Sequence, residues 1–243
     1  MKNSQKEIKA FIWDLDGVIT DTSSLHREAW IEALKKNIIY NNNPHISEKY
    51  DQFFSGVPRM VGIKRFLDSA EICGNTKEGD PEKVAFQIAN LKNNIFKEKV
   101  SNLKIKIYDD ALQLMRWSVS KGIKNGLASQ SENADLVLMK TNLNKFLDAA
   151  ATGITAKNNS IAPKPNPEFY RHAANLLNVN ISDCIVFEDT YAGAFSAVAA
   201  GARICVGVAR SQSSVMELAS AGCDIITRDL KKLKNFLNIK NIK

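Results

Sequence analysis

Along most of this chain short apolar runs alternate with amphipathic stretches of helical period, and in one long segment the runs vanish. The runs are Ile8 to Trp13, Ile123 to Ala128, Ala149 to Thr152, Cys184 to Phe187, Ile204 to Val208 and Asp224 to Thr227. Most are nearly continuous in apolar character, as strands buried on both faces of a parallel sheet are. The helical stretches between most of them supply the crossovers. One helix start is well marked: Asn166 can cap, Pro167 fits the first turn, and Phe169, Tyr170, Ala173, Ala174 and Leu177 follow at helical spacing. Between the first run, which joins the sheet over Ile8 to Leu15, and Lys104 the pattern is instead long and helical, as in Leu25 to Lys36 and Glu82 to Glu98. The chain therefore reads as an α/β fold, a doubly wound parallel sheet from residues 1–21 and 104–243, with an α-helical insert over 22–103. Asn41-Asn42-Asn43-Pro44 is a loop within the insert.

Composition fits this picture. The 243 residues suffice for one large domain or two unequal ones. With 44% apolar and 24% charged residues the chain is globular in type, and no run approaches the roughly 20 residues that span a bilayer. The polar start, Met1 to Glu7, carries no apolar leader, and a cytoplasmic monomer is expected. Cys73, Cys184, Cys205 and Cys223 show no Cys-x-x-Cys spacing and read as reduced core residues. A net charge of +7 invites a nucleic-acid reading. The basic residues are scattered, however, and the cluster Lys231-Lys232-Leu233-Lys234 with the tail Lys240 to Lys243 alternates with apolar residues as a solvated terminal helix would. No nucleic-acid or membrane partner is expected, whereas a general positive potential suits a small anionic substrate.

The chemistry lies at the ends of the runs. In Asp14-Leu15-Asp16-Gly17 two carboxylates follow the first run at i and i+2, so in an extended segment they point to the same side. Two anions that close call for a cation or a shared proton, although Asp-x-Asp-Gly also occurs in plain turns and calcium loops. Three later segments end in complementary groups: Gly126-Leu127-Ala128-Ser129 in a hydroxyl, Pro163-Lys164-Pro165 in an ammonium, and Val186-Phe187-Glu188-Asp189 in two acids. A hydroxyl and an ammonium to hold a phosphate, with two acidic clusters to hold Mg²⁺ and accept the phosphoryl group, are the minimum parts for phosphoryl transfer.

The order Asp-x-Asp, Ser, Lys, Glu-Asp resembles the haloacid dehalogenase superfamily of aspartate-nucleophile phosphotransferases, and the resemblance covers most of the chain. It implies a Rossmann-like core with the helical insert as a cap domain. It makes Asp14 the nucleophile and Asp16 the general acid/base. Mg²⁺ would be held by Asp14, Asp16 through its carbonyl, and Asp189, with Glu188 in or beside the coordination sphere. Ser129 and Lys164 would hold the transferring phosphoryl group. Within the superfamily the chain is similar to the β-phosphoglucomutase-like subgroup: His26 in Leu25-His26-Arg27-Glu28-Ala29-Trp30, Arg59 in Gly56-Val57-Pro58-Arg59 and Lys92 in Leu91-Lys92-Asn93-Asn94 match its substrate-binding cap positions. Ser131 and Asn133 complete the substrate-binding set. In the mutases the loop after the serine carries a lysine for a second phosphate; here Glu132 stands there, and Gly62 replaces a hydroxyl residue three positions after Arg59. The expected activity is thus a Mg²⁺-dependent phosphatase for a small phosphorylated metabolite such as a sugar phosphate. The alternatives are a β-phosphoglucomutase and a catalytically idle binding module.

Overall fold

The computed structural model describes residues 7–36, 50–69, 80–210 and 214–233. The Asn41 to Pro44 loop, Cys73, Lys234 and the tail Lys240 to Lys243 lie outside them. The chain divides into two compact units, Met1–Asp21 with Ile105–Lys243, and Thr22–Lys104.

The first unit is built on β1 (Ala10–Trp13), β2 (Lys124–Ala128), β3 (Ala149–Ala151), β4 (Cys184–Glu188), β5 (Ile204–Val208) and β6 (Ile225–Thr227). These form one six-stranded sheet in the order β3-β2-β1-β4-β5-β6, parallel at every pairing. This is the doubly wound, Rossmann-like sheet the apolar runs predict. The order reverses between β1 and β4, and ligands of such sheets bind at that switch point, beyond the carboxyl ends of the strands. Among the described residues four helices belong to the second unit, α1 (Ser23–Lys35), α2 (Tyr50–Phe53), α3 (Arg59–Asp68) and α4 (Pro81–Asn102). The remainder belong to the first: α5 (Asp109–Ser120), α6 (Ala134–Thr141), α7 (Gly153–Asn158), α8 (Glu168–Leu176), α9 (Tyr191–Ala200) and α10 (Ser214–Ser220). In the second unit no strand occurs among the described residues, as the missing apolar runs imply.

Some ends differ from the sequence reading for local reasons. β1 is shorter than Ile8 to Leu15 because Gly17, at φ 88°, and the hydrogen bond from Gly17 N to Thr20 O turn the chain away. Thr152 is not in β3; its side chain accepts from Thr155 N and caps α7. The cap expected at Asn166 falls one residue later by backbone geometry, at Pro167, although Asn166 Oδ1 still accepts from Glu168 N at 2.9 Å. Among the described cysteines Cys184 and Cys205 are buried and Cys223 half-buried, and all three are free.

Both sheet faces are covered. Phe11 and Trp13 point to one side, where Trp13 stacks on Phe187 of the neighbouring strand at 4.0 Å and Phe11 stacks on Trp117 of α5. Ala10 and Ile12 point to the other and pack in one cluster with Ala173, Ala174 and Leu177 and with Ala194 and Ala197 of α9. The small residues of α8 and α9 let these helices lie close to the strands.

A largely buried ion pair braces this unit just past the end of β5. Asp110, 8% exposed, accepts both arms of the Arg210 guanidinium at 2.8 and 3.1 Å, and also the backbone N–H groups of Ala111 and Leu230. Burial alone would raise the Asp110 pKa, but the Arg210 and backbone hydrogen bonds hold it below its ordinary 3.8. A depressed carboxylate stabilises the fold above its unfolded pKa, and that contribution is lost as pH falls through the folded value. Asp110→Asn should therefore cost about 1.5 to 3 kcal/mol at pH 7. In denaturation curves taken between pH 7 and 2.5 the gap to wild type should narrow below about pH 4, and a gap constant over that range would contradict this account.

Candidate active site

The register of the sheet brings the acidic groups together. Trp13 pairs with Phe187, and Asp14 N continues the ladder to Phe187 O at 3.0 Å, so Asp14 leaves β1 level with Glu188 at the end of β4. Ser129 follows β2 and continues its ladder to β3 through Ser129 N and Ala151 O. Lys164, before α8, ties the strand ends together: its Nζ donates to Asp14 Oδ1 at 2.7 Å, to Ala128 O at 2.8 Å and to Glu188 Oε1. Of the four motif segments, three thus meet through one ammonium, and Ser129 is the residue next to its Ala128 contact.

Glu188 is the most heavily engaged carboxylate. Besides Lys164, its Oε1 accepts from Tyr170 OH at 2.6 Å. Its Oε2 accepts from the backbone of Asp189 and Thr190 and from Thr190 Oγ1. A Cβ at Gly193, in the first turn of α9, would fall on this carboxylate, so only glycine lets α9 start so close. Sequence reading missed Tyr170, Thr190 and Gly193 as site residues. Tyr170 falls on the apolar stripe of α8, and nothing in the spacing shows that its hydroxyl ends on a carboxylate 18 residues away.

Asp14, Glu188 and Asp189 each place a carboxylate oxygen within 4.8 Å of the others, forming a group that could hold a metal ion. Burial, helped by repulsion from Glu188 and Asp16, pushes Asp14 up to about 8 against the attraction of Lys164. Burial and the same acidic neighbours, Asp14 first, raise Asp189 well above the carboxylate range. Burial would lower Lys164, yet Asp14 and Glu188 raise it above its ordinary value, so it stays an ammonium. Ionising all four acids against one lysine would leave an excess of negative charge, and like charges 4 Å apart cost about 4 kcal/mol at an effective dielectric of 20, so a proton or a second cation is needed to hold them together. Asp189 Oδ1 is buried without a hydrogen-bond partner, which leaves an oxygen lone pair for a hard cation. The residues fit a divalent ion.

Other expected positions are more dispersed. Asp16 is half-buried at the start of the turn that Gly17 makes, and its side chain is not one of the three clustered carboxylates. Ser131 and Asn133 lie in the loop between β2 and α6, where Ser131 N donates to Ser129 Oγ and Asn133 N to Ser131 Oγ, each at 3.2 Å. Glu132 between them is exposed. In the second unit, Arg59 opens α3. His26 and Lys92 meet: Lys92, 3% exposed, places Nζ 2.7 Å from His26 Nδ1 and 4.8 Å from the centre of the Phe96 ring. With Lys92 charged, His26 Nδ1 is the acceptor and the ring proton sits on Nε2.

A family model for the haloacid dehalogenase-like hydrolases matches residues 8–201, and the chain belongs to that family. Within it the chain is similar to β-phosphoglucomutase-like members. A β-phosphoglucomutase of Bacillus subtilis is 31% identical over 236 residues, covering 93% of this chain and 92% of the relative. A phosphorylated carbohydrates phosphatase of Thermotoga maritima is 27% identical, covering 88% and 92%. The crystal structure of β-phosphoglucomutase from Clostridium difficile superposes with a TM-score of 0.77 at 30% identity, covering 97% of this chain and 96% of the other.

The contact at Gly193 yields a direct check. Gly193→Ala drives a methyl into the Glu188 carboxylate, which is 1% exposed and has no room to retreat. The variant should lose about 1 to 3 kcal/mol of stability by overpacking and most of its activity, read by thermal melting and turnover. A variant as stable and active as wild type would show that Glu188 is not fixed in this way.

Proposed function

We propose that this protein is a Mg²⁺-dependent phosphatase of a small phosphorylated metabolite, a sugar phosphate, acting as a monomer through a covalent aspartyl phosphate. The observation that carries the reading is the buried Lys164 ammonium shared by Asp14, Glu188 and the end of β2, beside the unpartnered Asp189 Oδ1. It unites a nucleophile, a phosphate-binding cation and an oxygen cradle for a metal at one switch point.

In the first half-reaction an Asp14 carboxylate oxygen attacks phosphorus, the bond from phosphorus to the sugar oxygen breaks, and that oxygen takes a proton from Asp16. In the second, water attacks the phosphorus of the aspartyl phosphate and gives a proton to the Asp16 carboxylate. The phosphorus–oxygen bond to Asp14 breaks, and inorganic phosphate leaves. Ser129 holds an equatorial oxygen, and the Lys164 ammonium beside Asp14 offsets the charge that spreads over the phosphoryl oxygens in the transition state. Asp14, Asp189 and the Asp16 carbonyl would hold the ion, with Glu188 beside them. When bound, Mg²⁺ offsets phosphoryl charge and orders the oxygens for in-line attack. In the helical unit His26, Arg59 and Lys92, with Ser131 and Asn133 of the core, are the proposed substrate contacts; the planar fork of Arg59 suits a phosphate dianion.

The β-phosphoglucomutase reading differs only in what accepts the phosphoryl group from Asp14, a second sugar hydroxyl in place of water. Its support is the similarity to proteins of that name. Glu132 weighs against it, since an acid at the position of a phosphate-binding lysine repels a bisphosphate. A phosphate-release screen over sugar monophosphates, run beside an isomerisation assay with added hexose bisphosphate, separates the two. Phosphate release without isomerisation is expected, and efficient isomerisation with little free phosphate would replace the phosphatase by the mutase.

Asp14→Asn should keep the fold and lower turnover by about 10⁴-fold or more, as loss of a nucleophile does; a variant within tenfold of wild type would remove the covalent step. Excess EDTA should abolish activity and added Mg²⁺ restore it. Asp189→Ala should raise the Mg²⁺ half-saturation by more than the roughly 10- to 100-fold that loss of an outer-shell partner costs. Full activity in EDTA would refute the metal requirement.

A further inference from the structure

The turn from Asp14 to Thr20 is anchored by backbone hydrogen bonds: Ile19 and Thr20 N–H groups return to Leu15 O, and Tyr108 N, from the stretch before α5, donates to Ile19 O. Its middle is held from far along the chain. Arg210, two residues past β5, donates from Nε to Gly17 O at 3.3 Å and from Nη2 to Val18 O at 3.0 Å. The guanidinium is itself fixed on two other sides, by the bidentate pair with Asp110 and by the Tyr108 ring, whose centre lies 3.9 Å from Cζ. Asp110 is held in turn by Ala111 N and Leu230 N. Three separate stretches of chain, this turn, Tyr108 to Asp110 and, through Nη1 to Arg228 O at 3.4 Å, the segment after β6, thus converge on one planar group, and the two carbonyls of the turn that it grips directly follow Asp16.

We propose that Arg210 is a positioning residue for the reaction: by gripping Gly17 and Val18 it sets where Asp16 stands relative to Asp14. The inference rests on the reading of Asp16 as the acid that protonates the leaving oxygen. An acid must lie within hydrogen-bond reach of its target, and a displacement near 1 Å costs about 100-fold in rate. A glycine-containing turn does not hold such a position unaided. A lysine would not substitute, because one ammonium cannot grip two carbonyls while pairing both oxygens of Asp110.

The test compares two substrates in the first turnover, by rapid quench of the full-length protein with saturating Mg²⁺. One is the sugar monophosphate that wild type hydrolyses fastest, whose alkoxide leaving group needs a proton. The other is 4-nitrophenyl phosphate, whose leaving group departs without one. Arg210→Lys should slow sugar release about 10- to 100-fold while changing nitrophenolate release far less, with KM within about twofold of wild type. Asp110→Asn, which leaves the guanidinium but loosens its seat, should show the same split in smaller measure and serves if Arg210→Lys does not fold. Asp16→Asn is the reference. If Asp16→Asn discriminates between the substrates and neither Arg210→Lys nor Asp110→Asn does, the positioning role of Arg210 is overturned and the acid stands. If Asp16→Asn slows both substrates alike, or wild type turns over no sugar monophosphate, the functional reading fails and takes this inference with it.

Discussion

The buried ammonium of Lys164 is the interaction on which the centre depends. A lysine only 5% exposed would ordinarily lose its proton, and it keeps it because Asp14, Glu188 and the Ala128 carbonyl take its three N–H directions. The dependence is mutual. Remove the lysine and Asp14 and Glu188 face each other across a water-poor space, and breaking a buried pair in this way costs about 3 to 5 kcal/mol. One cation cannot neutralise Asp14, Asp16, Glu188 and Asp189 together, so the same contact that stabilises the fold leaves an appetite for a second cation. Structure and chemistry share one electrostatic cause.

Convergence at this point follows from the order and register of the sheet. β1 lies between β2 and β4, so residues that follow three adjacent strands project from one pole. Each side chain there is braced by a group with no role in chemistry: Glu188 by the Tyr170 hydroxyl and by space left at Gly193, the Ser129 loop by its own backbone, the Asp16 turn by Arg210. The bracing groups come from helices and loops on different faces of the sheet. A rigid parallel sheet supplies the common frame, and well-packed faces such as the Trp13–Phe187 stack keep it from flexing.

The unit from Thr22 to Lys104 obeys a different logic. Its helices bury apolar faces against one another rather than against a sheet: α1 contributes Trp30 and Leu34, α3 Ile63 and Phe66, and α4 Ile88 and Phe96. Among these lies Lys92, whose charge is accommodated by His26 and by aromatic faces. Cation–π contact is worth more where water is excluded, so this lysine is buried at low cost.

What the sequence determined by itself was whatever depends on local pattern. The apolar runs of the six strands, the helical insert, and the placement of Asp14, Ser129 and Glu188-Asp189 at strand ends and of Lys164 before a helix follow from periodicity and from residue type at chain-direction changes, which act over a few residues. Element ends were less legible, because Gly17 and Thr152 form turns and caps whose hydrogen bonds compete with the strand ladder. Only the tertiary structure decided that Tyr170 serves Glu188, that His26 meets Lys92, and that Arg210 joins Asp110 to the Asp16 turn. Each of these pairs is separated by 18 to 193 residues. A tyrosine on an apolar stripe, a lysine on a helix and an arginine after a strand look alike in sequence whether solvated or buried, since the partner that gives each its role is brought near only when the sheet closes its order and the helices pack.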